Sequence, residues 1–272
     1  MYSGTTFRIK SGRVVGAHQK FDRAARKILT SIIPHDAYFP ASLEILHFEG
    51  KHGPDGIKSK SPSVDEPWHY IDPKKPDDME LRIHISDHYQ NLVVALTQKD
   101  EVRSAYEAAW LAHALTDGLT PAHHYPLSEK IEELWGKPKE DRTTIFAKNV
   151  ITSGTIKERV SKNWQYWGSK GVFVSHIMFE WGVASHIASM KLSAFKPSTS
   201  QLVHIEKNGI DAMFMEQLRK IYALNMYEEY YKRGWTRKLA AQTKKTLAPV
   251  ITETITLAWY GAVQDATKQA KS

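Results

Sequence analysis

The chain has no cysteine in 272 residues. That excludes disulfides, thiolate metal sites and a cysteine nucleophile, and leaves His, Asp and Glu as the side chains able to hold a metal ion. Long apolar runs are missing as well. No stretch of about 18 apolar residues occurs, so no membrane-spanning segment is expected. Residues 1–10 carry no apolar core of signal-peptide length, and the location expected on that basis is the cytoplasm, or a processed secreted form. Strand signals are thin: no alternation of Val, Ile and Thr bounded by turns persists long enough to build a sheet. Internal repeats and low-complexity tracts are absent. Together these absences point to an all-α, single-domain, multi-helix fold over residues 1–272.

What is present is ordinary in bulk and unusual in detail. Hydrophobic residues make up 42% and charged residues 25%, the balance of a soluble globular protein. A formal net charge of +7 favours anionic partners such as phosphates, acidic lipid surfaces or nucleic acid. Apolar residues at a three-to-four spacing predict helices over 18–33, 79–97, 101–117, 172–192, 209–232 and 239–267, with Pro249 bending or breaking the last. Residues 48–78, rich in Gly, Pro, Asp, Ser and Lys, read as a long loop before the third helix. Short helices are expected at 128–134 and 143–150 within a polar connection.

The most informative stretch runs from Trp110 to His124. His113 and Asp117 stand four residues apart in an apolar helical run, so they share one face. Pro121 stops the helix, and His123 follows two residues later. A later helix repeats the pattern as His176 and Glu180. His18 opens the first long helix, and the loop holds Asp55 and His69. Any one pair is most simply a structural contact, but together these donors suit zinc and related divalent ions.

The order His18, Asp55, His69, His113-x-x-x-Asp117-x-x-x-Pro121-x-His123, His176-x-x-x-Glu180 resembles the zinc-dependent phospholipase C family, whose fold and metal cluster the fungal single-strand-specific nucleases share. Ala17 to Ala25 is similar to that family's first helix, and Pro67 to Pro73 to its loop histidine segment. The resemblance implies one zinc held by Asp55, His69, His113 and Asp117, and a second held by His123, His176 and Glu180. A third would sit near His18 and share Asp117 as a bridging carboxylate. In the family an N-terminal Trp completes that third ion, whereas residues 1–17 here contain no Trp. Two ions are therefore expected and the third is left open.

The implied activity is hydrolysis of a phosphodiester, with zinc lowering the pKa of its bound water to about 7. Asp55 or Glu180 would orient or deprotonate that water, Asp55 being preferred. Lipid headgroup release of the phospholipase C type is expected first. A single-strand nuclease or 3′-nucleotidase, and a metal-binding scaffold without turnover, are the alternatives. The partners expected are a phospholipid or nucleotide phosphate ester and a peripheral membrane contact.

The aromatic residues that line the choline pocket of bacterial relatives correspond to Gly56 and Glu66, so that pocket is not inherited. Trp68, Tyr70 and Tyr125 fall near the expected site, with packing as their simplest role. His124 reads as a substrate contact, a solvated side chain or a support behind the metal ligands. His84 and His88 read as a solvated pair, and His186 as a packing residue. Lys74, Lys75, Lys137, Lys139, Lys244 and Lys245 read as solubilising surface. The segment Trp164-Gln-Tyr-Trp167 reads as a core or satellite cluster, with membrane contact as the alternative.

Overall fold

The computed structural model describes residues 16–49, 52–58, 70–124, 127–138 and 141–271. Its helices are α1 (Ala17–Leu29), α2 (Ser42–His47), α3 (Pro54–Lys58), α4 (Glu80–Gln98), α5 (Glu101–Gly118), α6 (Leu127–Trp135), α7 (Ile145–Asn149), α8 (Ile156–Trp167), α9 (Val172–Ile187), α10 (Thr199–Tyr222), α11 (Met226–Arg233), α12 (Arg237–Gln242) and α13 (Ala248–Gln269). Among the described residues there is no strand, so the chain is all-α. No described helix is long and apolar enough to cross a membrane.

The core is organised around α13. A helix that is apolar all round must be buried all round, and α13 buries Val250, Ile251, Ile255, Leu257, Ala258, Trp259, Ala262 and Val263. It packs against α1, α4, α5 and α10. Two of its buried threonines satisfy their hydroxyls on the helix itself: Thr252 donates to the Ala248 carbonyl and Thr256 to the Thr252 carbonyl, each at 2.8 Å, whereas the Thr254 hydroxyl has no hydrogen-bond partner among the described residues. The Trp259 indole donates to the Ala108 carbonyl at 3.1 Å. Small residues on α5, Ala105, Ala108, Ala109 and Ala112, are fully buried and let its neighbours approach closely. Burial of each large side chain such as Phe21, Leu29 or Phe214 contributes about 1.5–3 kcal/mol.

Helix ends follow local chemistry. Asp100 caps α5 by accepting from the Arg103 amide at 2.9 Å. The helix stops at Gly118, and Pro121 opens a short 3₁₀ turn, Pro121–His124. The capping boxes Thr155/Glu158 and Ser198/Gln201 start α8 and α10.

Several boundaries differ from expectation. The 48–78 loop contains α3 within it, and α2 precedes it; both helices are too short to show a period. Residues 126–172, which the resemblance implies are an insertion, contain α8, twelve residues long, as well as the two short helices. Helix α10 begins at Thr199, ten residues before the expected Gly209, and Gly209 is a kink inside it with φ 78°, a left-handed conformation that suits glycine. Pro249 marks a break in the expected 239–267 helix rather than a bend: it sits in the first turn of α13, where a missing N–H is tolerated. The irregularity lies just upstream, in a π turn at Thr243–Leu247.

A smaller cluster stands apart from the main core. Trp135, Ile151 and Tyr166 bury one another, with Ile131, Leu134 and Phe173 packed against them. It joins α6, α8 and the start of α9.

Candidate metal centre

Four elements converge on one buried volume: the start of α1, the end of α5, the 3₁₀ turn after it, and the first half of α9. The sequence places two ligand-type side chains on α5 and two on α9, each pair one turn apart. Packing of α1 against both α5 and α9 then brings His18 to the same place. His18, His113, Asp117, His123, His176 and Glu180 are each 9% exposed or less.

Asp117 is the hub. Its Oδ1 lies 3.2 Å from His18 Nε2 and 3.8 Å from His123 Nε2, and its Oδ2 lies 3.3 Å from His113 Nε2. Glu180 is the second hub, with Oε1 at 2.9 Å from both His123 Nε2 and His176 Nε2. Two triads result, His18–His113–Asp117 and His123–His176–Glu180. Within each, one ligand atom per residue lies within 4.8 Å of the others. Among the described residues these two triads can each hold a metal ion, and the Asp117–His123 contact joins them.

His18 is not off at a separate position. Its ring stacks on His113 with centroids 4.0 Å apart, so it shares the first triad. Asp55 lies at the edge, with Oδ1 3.9 Å from His113 Nε2 and a side chain 22% exposed. His69, with Glu66, Trp68 and Tyr125, lies outside the described residues.

Burial alone would raise the carboxyl of Asp117, yet the surrounding imidazoles, His123 first, hold it well below the usual carboxylate range. Asp117 is therefore anionic at neutral pH. Burial pushes His123 down to about 4, which keeps it neutral, the form that ligates metals. Burial also works against protonation of His113, but Glu49 and Asp117 on its two sides lift it to about 10, so in the metal-free chain His113 is protonated at neutral pH and must release a proton before it can ligate an ion. Nitrogen and carboxylate oxygen without thiolate suits zinc, and also manganese or iron.

Glu49 carries no motif signal, and sequence reasoning missed it. It is 4% exposed, and its Oε1 stands 3.2 Å from His113 Nδ1. A carboxylate on the far ring nitrogen fixes the tautomer and turns Nε2 toward the metal position. Asp22, one turn beyond His18, was missed too. Its side-chain oxygens are buried without a hydrogen-bond partner, and burial together with nearby Glu49 pushes its carboxyl well up. Glu49 is far in sequence from His113, so no spacing could reveal it, whereas Asp22 follows His18 at the same four-residue interval that marked the other pairs.

The supporting packing is tight. Phe179, between His176 and Glu180, meets Tyr227, Tyr230 and Trp235. Gly182 lies against Trp235, where any Cβ would overlap the indole, so glycine lets α9 seat at this depth. Tyr70 stacks on His123 at 5.0 Å, and the Ile71 amide donates to the His123 carbonyl at 3.1 Å.

Beyond that wall lies a cavity of about 450 Å³ lined in part by Asp72, Lys74, His124, Tyr222, Tyr227 and Tyr231. His124 lines this cavity half-buried and outside the metal triads: its Nε2 is 2.8 Å from the Gly118 carbonyl, and burial pushes it down to about 4. Lys74 belongs to the cavity rather than to plain surface. His88 also departs from expectation, pairing at 2.6 Å with buried Glu107. His186 packs on Trp235 at 4.9 Å.

No protein-family model matches the chain, and no curated protein matches it.

Proposed function

We propose that the chain is a metal-dependent phosphoesterase, with zinc as the metal and phospholipase C-type release of a phosphorylated headgroup as the reaction. The observation that carries this is the joining of two buried His/carboxylate triads through Asp117, with Oδ2 on His113 and Oδ1 between His18 and His123. Paired ions in such a set supply Lewis acidity and charge neutralisation at both the attacking and the leaving oxygen of a phosphate ester.

The protein's own groups divide the remaining work. His18, His113 and Asp117 would hold one ion, and His123, His176 and Glu180 the other. Glu180 is committed to its two imidazoles at 2.9 Å. Asp55, half-buried at the edge and 3.9 Å from His113, is the better placed carboxylate to orient and deprotonate an incoming water. Glu49 holds His113, and Tyr70 covers His123 and excludes solvent from that side.

Protein purified without added metal is tested by elemental analysis and by hydrolysis of phosphatidylcholine, bis(p-nitrophenyl) phosphate and single-stranded DNA, with and without chelator. At least two divalent ions per chain and chelator-sensitive release of a phosphorylated headgroup are expected. Cleavage of DNA alone would move the substrate to nucleic acid. Bound metal with no hydrolysis of any substrate would leave a metal-binding scaffold.

A further inference from the structure

We propose that the exposed face of α8 docks the protein on a bilayer surface carrying anionic lipid headgroups. The proposal is independent of the metal centre and of the reaction assigned to it.

Helix α8 buries one residue, Tyr166, in the satellite cluster. Along the opposite side Ile156, Val160 and Trp164 follow one another at intervals of four, which places them in one row. They are 73%, 67% and 71% exposed, and Trp167 at the end of the helix is 43% exposed. An apolar row of this kind on a soluble chain marks an interaction surface. The expectation that Trp164-Gln-Tyr-Trp167 forms a cluster holds for Tyr166 and fails for Trp164, because the helical period turns them to different faces.

The row is held rigid. The Thr155/Glu158 capping box fixes its start. Asn163 accepts from the Ile151 amide at 3.1 Å and donates to the Ile151 carbonyl at 2.9 Å. Trp167 donates to the Asn149 carbonyl at 2.7 Å. The segment so attached adds two more exposed apolar side chains, Phe146 and Val150.

Charge selects the partner. Residues 141–171 carry six Lys and Arg against one Asp and one Glu; Arg142 is buried over Trp135, which leaves five cations outside the cluster, and Arg159 lines the same trough as Ile156, Val160 and Trp164. A second copy of so basic a face would be repelled. A nucleic acid would satisfy the charge and stack on Trp164, but Ile156 and Val160 offer no ring for a base. Acyl chains take aliphatic side chains, Trp favours the headgroup boundary, and Lys and Arg bind acidic headgroups.

The full chain is sedimented with vesicles of phosphatidylcholine alone, and of phosphatidylcholine mixed with phosphatidylserine, in the presence and absence of chelator. Binding to the mixed vesicles is expected, weakened by salt, with tryptophan fluorescence quenched by brominated acyl chains. Val160→Glu with Trp164→Glu should weaken it by at least about tenfold at unchanged helix and metal content. The milder Trp164→Ser should remove most of the quenching. Equal binding by the double variant, no binding to either vesicle, or retention of the wild type on a single-stranded oligonucleotide in place of vesicles would overturn the proposal. Failure of the metal reading shows elsewhere, as absent metal and absent hydrolysis with vesicle binding intact.

Discussion

The metal centre and the α6–α8 segment solve opposite problems with the same kind of helix. Around Asp117 polar groups are buried and apolar surface encloses them, so six ligand-type side chains are all but removed from water. On α8 the polar groups stay in solvent and apolar side chains join them there. A buried carboxylate is tolerated only when imidazoles or a cation compensate it. An exposed Trp164 costs little on the folded chain and gains its contacts elsewhere. The first region is built to hold something small inside, and the second to meet something large outside.

The sharpest way to break this contrast is Asp117→Ala, which removes the hub of one triad and its link to the other. Loss of bound metal is expected, together with a fall in hydrolysis of about a thousandfold, the equivalent of several kcal/mol of transition-state stabilisation; retention of both ions would refute the bridging role. Trp135→Ala probes the other region. It empties the centre of the satellite cluster and should cost about 3–5 kcal/mol locally, seen as hydrogen exchange across α6 and α8, while metal content stays unchanged. Concerted loss of metal would mean that the two regions fold as one.

Glu49→Gln keeps the shape beside His113 but removes the anion. A drop of about 10–100-fold in metal affinity is expected by competition titration with a chromophoric chelator, and an unchanged affinity would show that His113 needs no orienting group.

Acid separates the regions more gently. His124 in the folded chain lies near 4 instead of its ordinary 6.5 because it is buried, so the unfolded chain takes up this proton first as pH falls. Its contribution is fully present above about 6.5 and is lost between about 6.5 and 4. Denaturant titrations of metal-free protein should show that slope, shared with His123, which burial lowers to about 4 as well, and His124→Gln should remove about half of it. Residues 127–167 contain no histidine, so exchange of the satellite segment should lack the step. The smallest effect belongs to Trp164→Ser, expected to change global stability by no more than about 0.5 kcal/mol; a larger loss would place Trp164 in a packing role.

Much of the metal centre is written in local spacing. His113 with Asp117, and His176 with Glu180, are fixed on common faces by the helical period alone, and Pro121 fixes where α5 gives way to the turn that carries His123. The same period located α1, α4, α5, α9 and the apolar α13. It did not locate α2, α3 or α8. The first two are too short to repeat, and α8 puts its apolar row outward, so a pattern of core burial does not describe it.

The sequence by itself determined an all-α chain, free of thiol chemistry, with two His/carboxylate pairs each poised on one helix face. Only the tertiary structure decided that the pairs meet, because their meeting depends on α1, α5 and α9 packing together across long sequence separations. It also decided that His18 stacks on His113, that Glu49 and Asp22 stand behind the ligands, and that the Trp164 row faces outward while Tyr166 is buried. Helical periodicity sets which side chains share a face. The competition among all the helices for burial sets which face is covered.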